Sequence, residues 1–193
     1  MPKSAILQLY SQNQTVFSTK DIALIWEEQD RDLVKQRIHR YLKSGKLYPI
    51  KKGLYTKDKN YNKLELAVKV YTPSYISFET VTIKAGMTFQ HYDRIFVASY
   101  LSREIEVDGQ VYEYRKIKKP VLTNIAGIDK KENYAIATPE RAFLDLIYLS
   151  KDYYFDNLSP INWSRVNKIL PIYSNKRMKK TVEKHKKSLE EEK

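Results

Sequence analysis

Residues 30–56 read DRDLVKQRIHRYLKSGKLYPIKKGLYT and set the fold of the N-terminal part of this chain. Asp30 or Asp32 is expected to cap a helix start, where free backbone N–H groups need a short side chain with an oxygen. Gly45 is expected to end that helix. Apolar residues recur at helical spacing between these ends and predict one buried face: Val34, Ile38, Tyr41 and Leu42.

The opposite face of this helix is polar and short of acid. At 100° per residue it presents a set of side chains that offers hydrogen-bond donors to base edges and phosphates: Asp32, Gln36, His39, Arg40 and Lys43. The composition therefore favours a helix that reads DNA. The simpler alternative is an amphipathic helix whose basic face is only solvated.

A short hairpin is predicted directly after the helix. Leu47, Tyr48 and Ile50 suggest one strand, residues 51–53 form a Lys-Lys-Gly turn, and residues 54–56 return as a second strand. A helix followed by a hairpin with a basic tip is the end of a winged helix-turn-helix, a DNA-binding module.

Two shorter helices are predicted before the recognition helix, over residues 4–12 and from Ser18 onward. Ser18 and Asp21 have the spacing of a capping box. The start of the second helix lies where such a module meets the DNA backbone, so its N–H groups and side chains would hold a phosphate. For Ser18, simple capping is the favoured role. The predicted DNA contacts are Thr19, Lys20, Lys35, Gln36, His39, Arg40, Lys43, Lys51, Lys52 and Tyr55.

Bulk properties restrict the class of protein. The 193 residues include no cysteine, which excludes disulfides and thiolate metal sites. No apolar run approaches the roughly 18 residues of a membrane span. The first residues, MPKSAILQLYSQNQ, are too short and polar for a signal peptide. We therefore expect a cytoplasmic protein without a membrane partner.

The net charge of +12 is unevenly distributed along the chain. Residues 1–60 carry 12 basic and 6 acidic side chains, residues 61–150 carry 12 and 11, and residues 151–193 carry 11 and 6. A nearly neutral middle between two basic ends suggests a polyanion held at both ends. Charge alone does not distinguish DNA from RNA or an anionic lipid surface, and solubility is the simpler explanation.

Two domains are expected, a winged helix-turn-helix at residues 1–60 and a mixed α+β domain at residues 61–193. The polar segment 57–63, KDKNYNK, is the predicted linker. A helix is predicted over residues 61–70, and a short helix ending at Gly86 follows the sequence YISFET.

The middle of the chain alternates between strand and helix patterns. Asp108-Gly109 predicts a two-residue hairpin turn, and Thr138-Pro139 predicts the start of a strongly apolar helix. The predicted strands are residues 94–100, 104–107, 111–114 and 134–137.

The C-terminal forty residues are predicted to be helical, with helices over residues 162–170 and 175–192. The second helix is basic on most sides and shows little apolar face. Two readings are equally supported, a solvated tail and a second nucleic-acid contact. The residues proposed for that contact are Lys176, Arg177, Lys179 and Lys180.

Three segments together resemble the AbiEi family, antitoxins of type IV toxin–antitoxin systems linked to abortive phage infection. The first is the winged module with its Gly53-Leu54-Tyr55 wing. The second is residues 75–80, YISFET, which resembles the family's YISLES. The third is residues 136–146, IATPERAFLDL, which is similar to the family's ATPE(K/R)ALLDL. The resemblance rests on the order and spacing of the three motifs in one chain.

The resemblance implies an antiviral defence protein with two activities. The winged module would bind the promoter of its own operon, at inverted repeats, and repress it. The second domain would act as antitoxin against a neighbouring nucleotidyltransferase-like toxin, without a stable complex. The chain departs from the family motif at Phe78 and Thr80, and its lysine-rich C-terminal helix matches no family motif.

Alternatives to this interpretation are a transcription regulator without a toxin partner and a metal-dependent nuclease. A nuclease needs two or three carboxylates around metal ions. The nearest set is Glu104, Glu106, Asp108 and Glu113, with Arg115 where such sites usually have lysine. An exposed charged hairpin is the favoured reading of this segment, so neither catalytic residues, nor a metal, nor a cofactor is predicted. Asp145 is expected to pair with Arg141.

Overall fold

The structure is a computed structural model that describes residues 4–191. It is a mixed α+β fold, as the sequence predicted, and no helix within those residues is long and apolar enough to cross a membrane. Its first part consists of α1 (Ala5–Tyr10), β1 (Val16–Ser18), α2 (Thr19–Ile25), α3 (Arg31–Lys43), β2 (Tyr48–Lys51) and β3 (Leu54–Thr56).

The first three helices enclose a small apolar core. Val34 and Ile38 of α3 are buried, and Tyr41 and Leu42 are half-buried beside them, which confirms the apolar face expected from their spacing. Core residues from the other elements are Ile6, Leu9, Phe17, Ile22, Trp26 and Leu47.

Both ends of α3 follow from local sequence. The Asp30 carboxylate accepts hydrogen bonds from the N–H groups of Asp32 (2.8 Å) and Leu33 (3.2 Å), so Asp30 is the cap. Gly45 adopts a φ of +64°, a left-handed conformation that side chains disfavour. The next N–H, that of Lys46, then reaches back to the Tyr41 carbonyl (2.9 Å) and closes the helix.

The expected hairpin is present and belongs to a three-stranded sheet with the order β1-β3-β2. All its pairings are antiparallel, and Phe17 of β1 lies opposite Tyr55 of β3. The strand β1 was not predicted, because a three-residue strand before a helix cap carries little periodicity.

The second part contains a mixed six-stranded sheet with the order β6-β7-β5-β4-β9-β8, in which β4–β9 and β5–β7 are parallel. Its elements are α4 (Lys63–Val70), β4 (Ser74–Ile76), α5 (Glu79–Lys84), β5 (Arg94–Ser99), β6 (Arg103–Val107), β7 (Gln110–Lys116), α6 (Lys119–Leu122), β8 (Ile128–Lys130), β9 (Ala135–Ala137), α7 (Pro139–Leu149), α8 (Trp163–Ile169) and α9 (Lys176–Glu191). A 3-10 turn, Leu170–Tyr173, joins α8 to α9.

The helix α7 is the centre of the second part. Thr138 caps it by accepting a hydrogen bond from the Arg141 N–H (3.3 Å), and Pro139 is its first residue, as predicted. Every side chain over residues 140–147 is buried. The predicted core helix is therefore confirmed.

The helix α9 differs from the expectation of a basic helix with little apolar face. Met178 and Val182 are buried, and Leu189 packs against the same core. Spacings of four and seven residues, about one and two turns, place these side chains on one side of the helix, so a narrow apolar stripe attaches it to the second part. The helix is therefore not a solvated tail over its described length, and residue 192, the last of the predicted range, lies outside the described residues.

Contacts join the two parts across the predicted boundary at residue 60. Val16 and Leu54 of the small sheet are buried within the large core. The fully buried carboxylate of Glu65 in α4 accepts hydrogen bonds from the N–H groups of Thr15 (2.9 Å) and Val16 (3.2 Å). The segment 57–62 forms neither helix nor strand. A two-domain division stays a prediction, and these parts pack against each other.

Candidate nucleic-acid interface

The outer face of α3 presents side chains that the rest of the chain leaves unused. Gln36, His39 and Lys43 are exposed, and within residues 4–191 their side chains make no hydrogen bond or ion pair. Arg40 is exposed too, and its guanidinium lies 5.8 Å from the centre of the Tyr41 ring. Lys35 pairs with Asp32 at 2.9 Å in a fully solvated position. The face thus offers donors that are available to a partner.

The orientation of α3 is fixed from its other side. Arg37 forms an ion pair with Glu28 (3.3 Å) and lies over the Trp26 ring at 6.0 Å. Trp26 in turn donates its indole N–H to the Ala5 carbonyl (2.7 Å). These contacts link α3 to α1 and α2, so the exposed face is held at a fixed angle to the other helices.

The start of α2 is a complete capping box. The Ser18 hydroxyl accepts from the Asp21 N–H (3.1 Å), and the Asp21 carboxylate accepts from the Ser18 N–H (2.8 Å). The Thr19 N–H donates to the Gly53 carbonyl (3.1 Å). The Thr19 N–H is therefore engaged within the fold, and a DNA contact by the Thr19 side chain stays a prediction. Lys20 is exposed, and its side chain has no partner in the described chain.

The turn between β2 and β3 lies beside the start of α2, because the Thr19 N–H bonds to Gly53 in that turn. Lys51 and Lys52 are exposed there, and neither side chain has a partner among residues 4–191. Tyr55 is half-buried against the small core, so its ring supports the sheet. Lys20 and the two turn lysines consequently lie at one end of the module.

The basic residues of α9 divide into two groups. Arg177 donates through Nη2 to the carbonyl oxygens of Ile147 (3.1 Å) and Tyr148 (3.0 Å), at the C-terminal end of α7. A cation at that end is favourable because the carbonyls there lack helical partners. Arg177 is therefore committed within the fold. Lys176, Lys179 and Lys180 are exposed.

Two of the four acids considered as a nuclease site, Glu104 and Glu113, form ion pairs with arginines. Arg94 pairs with Glu104 (2.7 Å) and Glu113 (2.9 Å), and Arg115 pairs with Glu113 (2.7 Å) and Glu79 (2.7 Å). Partial burial opposes ionisation of Glu113, but hydrogen bonds from the two arginines outweigh it and hold its pKa below the usual range. No three His, Asp or Glu side chains of residues 4–191 are grouped to hold a metal ion.

The motifs that carry the family resemblance meet inside the second part. Asp145 pairs with Arg141 at 3.3 Å, as expected from their spacing, and both side chains are fully buried. The Asp145 carboxylate also accepts from the hydroxyl groups of Tyr75 (2.9 Å), Ser77 (2.8 Å) and Tyr173 (2.6 Å). Residues of YISFET and of IATPERAFLDL thus form one buried network.

Arg141 connects this network to the neighbouring loop. Its guanidinium donates to the carbonyl oxygens of Val121 (2.8 Å) and Ala126 (2.8 Å) and to the Tyr75 hydroxyl (2.8 Å). A buried charge with this many partners is a structural tie between strands, helices and loop. The sequence analysis did not assign roles to Ser77 or Tyr173, because the contacts join residues far apart in the chain.

Comparisons with known proteins add no relative. No protein-family model matches the chain. No curated protein matches it significantly. The resemblance to the AbiEi family accordingly rests on the motifs themselves and on their order.

Proposed function

We propose that this protein is a DNA-binding transcriptional repressor, with residues 1–60 acting as a winged helix-turn-helix. The observation that carries the proposal is the outer face of α3, where Gln36, His39, Arg40 and Lys43 are exposed and unused by other polar side chains. The order of three helices and a hairpin with a basic tip supports it.

In this proposal α3 enters the major groove of double-stranded DNA. Arg40 reads guanine through a bidentate contact, and Gln36 is suited to adenine. Lys20, Lys51 and Lys52 contact phosphates on either side, which gives affinity and register but no sequence information. Lys35 and Lys43 are exposed on the same helix and contribute positive charge.

We propose further that the repressor acts in the cytoplasm on its own promoter and serves as antitoxin of a type IV system. The motifs at residues 75–80 and 136–146 support this part, because they are what resembles the AbiEi family. Its functional partner would be a nucleotidyltransferase-like toxin, with no stable complex. Binding, and not catalysis, is the proposed activity.

A paired expression experiment tests the two halves of this proposal. The chain is expressed from an unrelated promoter together with the neighbouring open reading frame, and separately with a reporter under the native promoter. Repression of the reporter together with rescue of growth supports both halves. Repression without any toxic neighbour identifies a regulator that has no toxin partner.

A further inference from the structure

A cleft of about 550 Å³ lies between α9 and residues 151–158, and its lining residues include none from α2, α3 or the wing. This volume is in the range of small-molecule sites. One wall belongs to α9 and contributes Lys180, Thr181, Lys184, His185 and Ser188. Lys180, Lys184 and Ser188 are spaced four residues apart, and so are Thr181 and His185. All five side chains therefore lie on one face of the helix.

The α9 wall offers positive charge that the fold does not use. Lys180 and Lys184 are exposed, and across the described chain neither side chain forms an ion pair or hydrogen bond. Lys151 lines the opposite side and is equally unpaired among residues 4–191. Three lysines around one concavity attract an anion with several charges.

The opposite wall is aromatic and includes Tyr153, Tyr154 and Phe155. The rings of Tyr153 and Phe155 pack against each other in a tilted arrangement, with 4.7 Å between ring centres. Tyr154 is different, because 77% of its surface is exposed and no other ring of the described residues contacts it. An exposed aromatic face beside unpaired cations is the arrangement that proteins use to hold a nucleotide base.

The cleft is lined by a histidine that packs against aromatic rings and by two acidic side chains. His185 lies against Phe143 (5.7 Å) and Phe155 (5.5 Å). Burial and then the nearby Lys184 lower the pKa of His185, so the imidazole is neutral at pH 7 and offers one donor and one acceptor. Two acids, Asp152 and Asp156, also line the cleft. The Asp156 carboxylate accepts a hydrogen bond from the Phe89 N–H (2.8 Å).

We infer that this cleft binds a nucleotide, with the base stacked on Tyr154 and the phosphates held by Lys151, Lys180 and Lys184. Simple anion attraction does not account for the aromatic wall, and a DNA duplex does not fit a concavity of this size. The inference is independent of the proposed repressor activity, because it uses none of the residues of α3 or of the wing. It assigns Lys180 to this cleft and not to a second DNA contact.

Calorimetric titration of the full chain tests the inference with ATP, adenosine and inorganic triphosphate as probes. We expect ATP to bind more tightly than adenosine alone or inorganic triphosphate alone. Tyr154→Ala should weaken ATP binding about fivefold or more, since base stacking on an aromatic residue is worth this much, and should leave triphosphate binding unchanged. The double variant Lys180→Ala/Lys184→Ala should weaken both ATP and triphosphate.

The matched control is Lys179→Ala/Lys187→Ala, which removes the same charge from the same helix outside the cleft. No binding of ATP at millimolar concentration overturns the inference, and so does an equal loss in the control variant. An unchanged ATP affinity in Tyr154→Ala overturns it as well. A short single-stranded oligonucleotide then shows whether the natural ligand is a free nucleotide or part of a strand. Much tighter binding of the oligonucleotide than of ATP indicates an unpaired nucleotide within a strand, and equal binding indicates a free nucleotide.

Discussion

At the scale of single residues, the buried pair of Arg141 and Asp145 dominates the second part. Removing two charges from water is costly, and only a complete set of hydrogen bonds offsets that cost. The Asp145 carboxylate accepts hydrogen bonds from the hydroxyl groups of Tyr75, Ser77 and Tyr173. The motif residues therefore hold β4, α7 and the 3-10 turn together, which gives the motif a structural role.

Asp145→Asn is expected to lower the free energy of unfolding by about 3–5 kcal/mol, because it leaves the Arg141 guanidinium buried and uncompensated. Urea denaturation followed by circular dichroism measures it. The control is Glu104→Gln, which breaks a largely solvated pair with Arg94 and should cost under about 1 kcal/mol. Equal losses of unfolding free energy in the two variants would show that the buried network stabilises the protein no more than a solvated ion pair does.

The sequence predicted the local part of this network and missed the distant part. Arg141 and Asp145 are four residues apart in an evident helix, so their pairing follows from helix geometry. Tyr173 joins them from 28 residues away. Such a contact depends on how helices pack, which neither periodicity nor composition specifies.

At the scale of elements, the sequence again predicted the features set by local residues and missed those that depend on distant contacts. The limits of α3 follow from Asp30 and Gly45, because capping acts within one turn. The strands β1, β4 and β8 have three residues each and are stabilised by partners elsewhere in the chain, so they show no readable period. The apolar stripe of α9 went unrecognised because Met178 and Val182 are separated by lysines.

The wing makes a prediction that separates phosphate contacts from base contacts. Lys51→Ala/Lys52→Ala should weaken binding to all DNA sequences alike and flatten the salt dependence by about one unit of slope per lost contact. Filter binding at several salt concentrations measures both effects. The matched control is Lys118→Ala/Lys119→Ala, another exposed adjacent pair. A loss confined to the specific site, with the salt slope unchanged, would contradict the phosphate role.

The ion pair between Asp21 of α2 and Lys69 of α4 (2.8 Å) predicts a pH-dependent link between the two parts. Partial burial opposes ionisation of Asp21, but hydrogen bonds from Lys69 and the Ser18 N–H outweigh it, so the pKa of Asp21 lies below its usual value. A depressed folded-state pKa means that the stabilisation is present above the unfolded pKa of about 3.9 and is lost as pH falls through the folded value.

Lys69→Met should therefore destabilise the protein by about 1 kcal/mol at pH 7, and the difference from wild type should shrink as pH falls below about 4. Thermal unfolding at a series of pH values measures this. Lys59→Met, an exposed lysine whose side chain has no hydrogen-bond or ion-pair partner in the described residues, is the control. A difference that stays constant down to pH 2 would show that the Asp21 charge is not involved.

At the scale of the whole molecule, the small sheet rests on the second part. Val16 and Leu54 are buried in the large core, and Glu65 supplies the acceptor for two N–H groups of the first part. The parts on either side of the predicted linker KDKNYNK therefore contact each other, and the two-domain division stays a prediction. Composition predicted a polar segment there, where residues 57–62 form neither helix nor strand, and carried no information on the packing across it.

A fragment of residues 1–60 should accordingly be less stable than a fragment of residues 1–71, which keeps Glu65 and Lys69. Without α4 the N–H groups of Thr15 and Val16 lose their hydrogen bonds to the Glu65 carboxylate, each worth about 0.5–1.5 kcal/mol. Thermal melts of the two fragments by circular dichroism compare them. An equal or higher melting temperature for residues 1–60 would show that the N-terminal module needs nothing from α4.

The most direct test of the account is the affinity of the full chain for its own promoter DNA when the outer face of α3 is removed. Gln36→Ala/His39→Ala/Arg40→Ala is compared with Gln90→Ala/His91→Ala/Arg103→Ala, which removes the same three residue types from exposed positions of the second part. We predict that the α3 variant loses the promoter footprint and the preference over unrelated DNA, since each good base contact is worth about 1–3 kcal/mol, while the control keeps both. An unchanged footprint and affinity in the α3 variant would contradict the assignment of α3 as the helix that reads DNA.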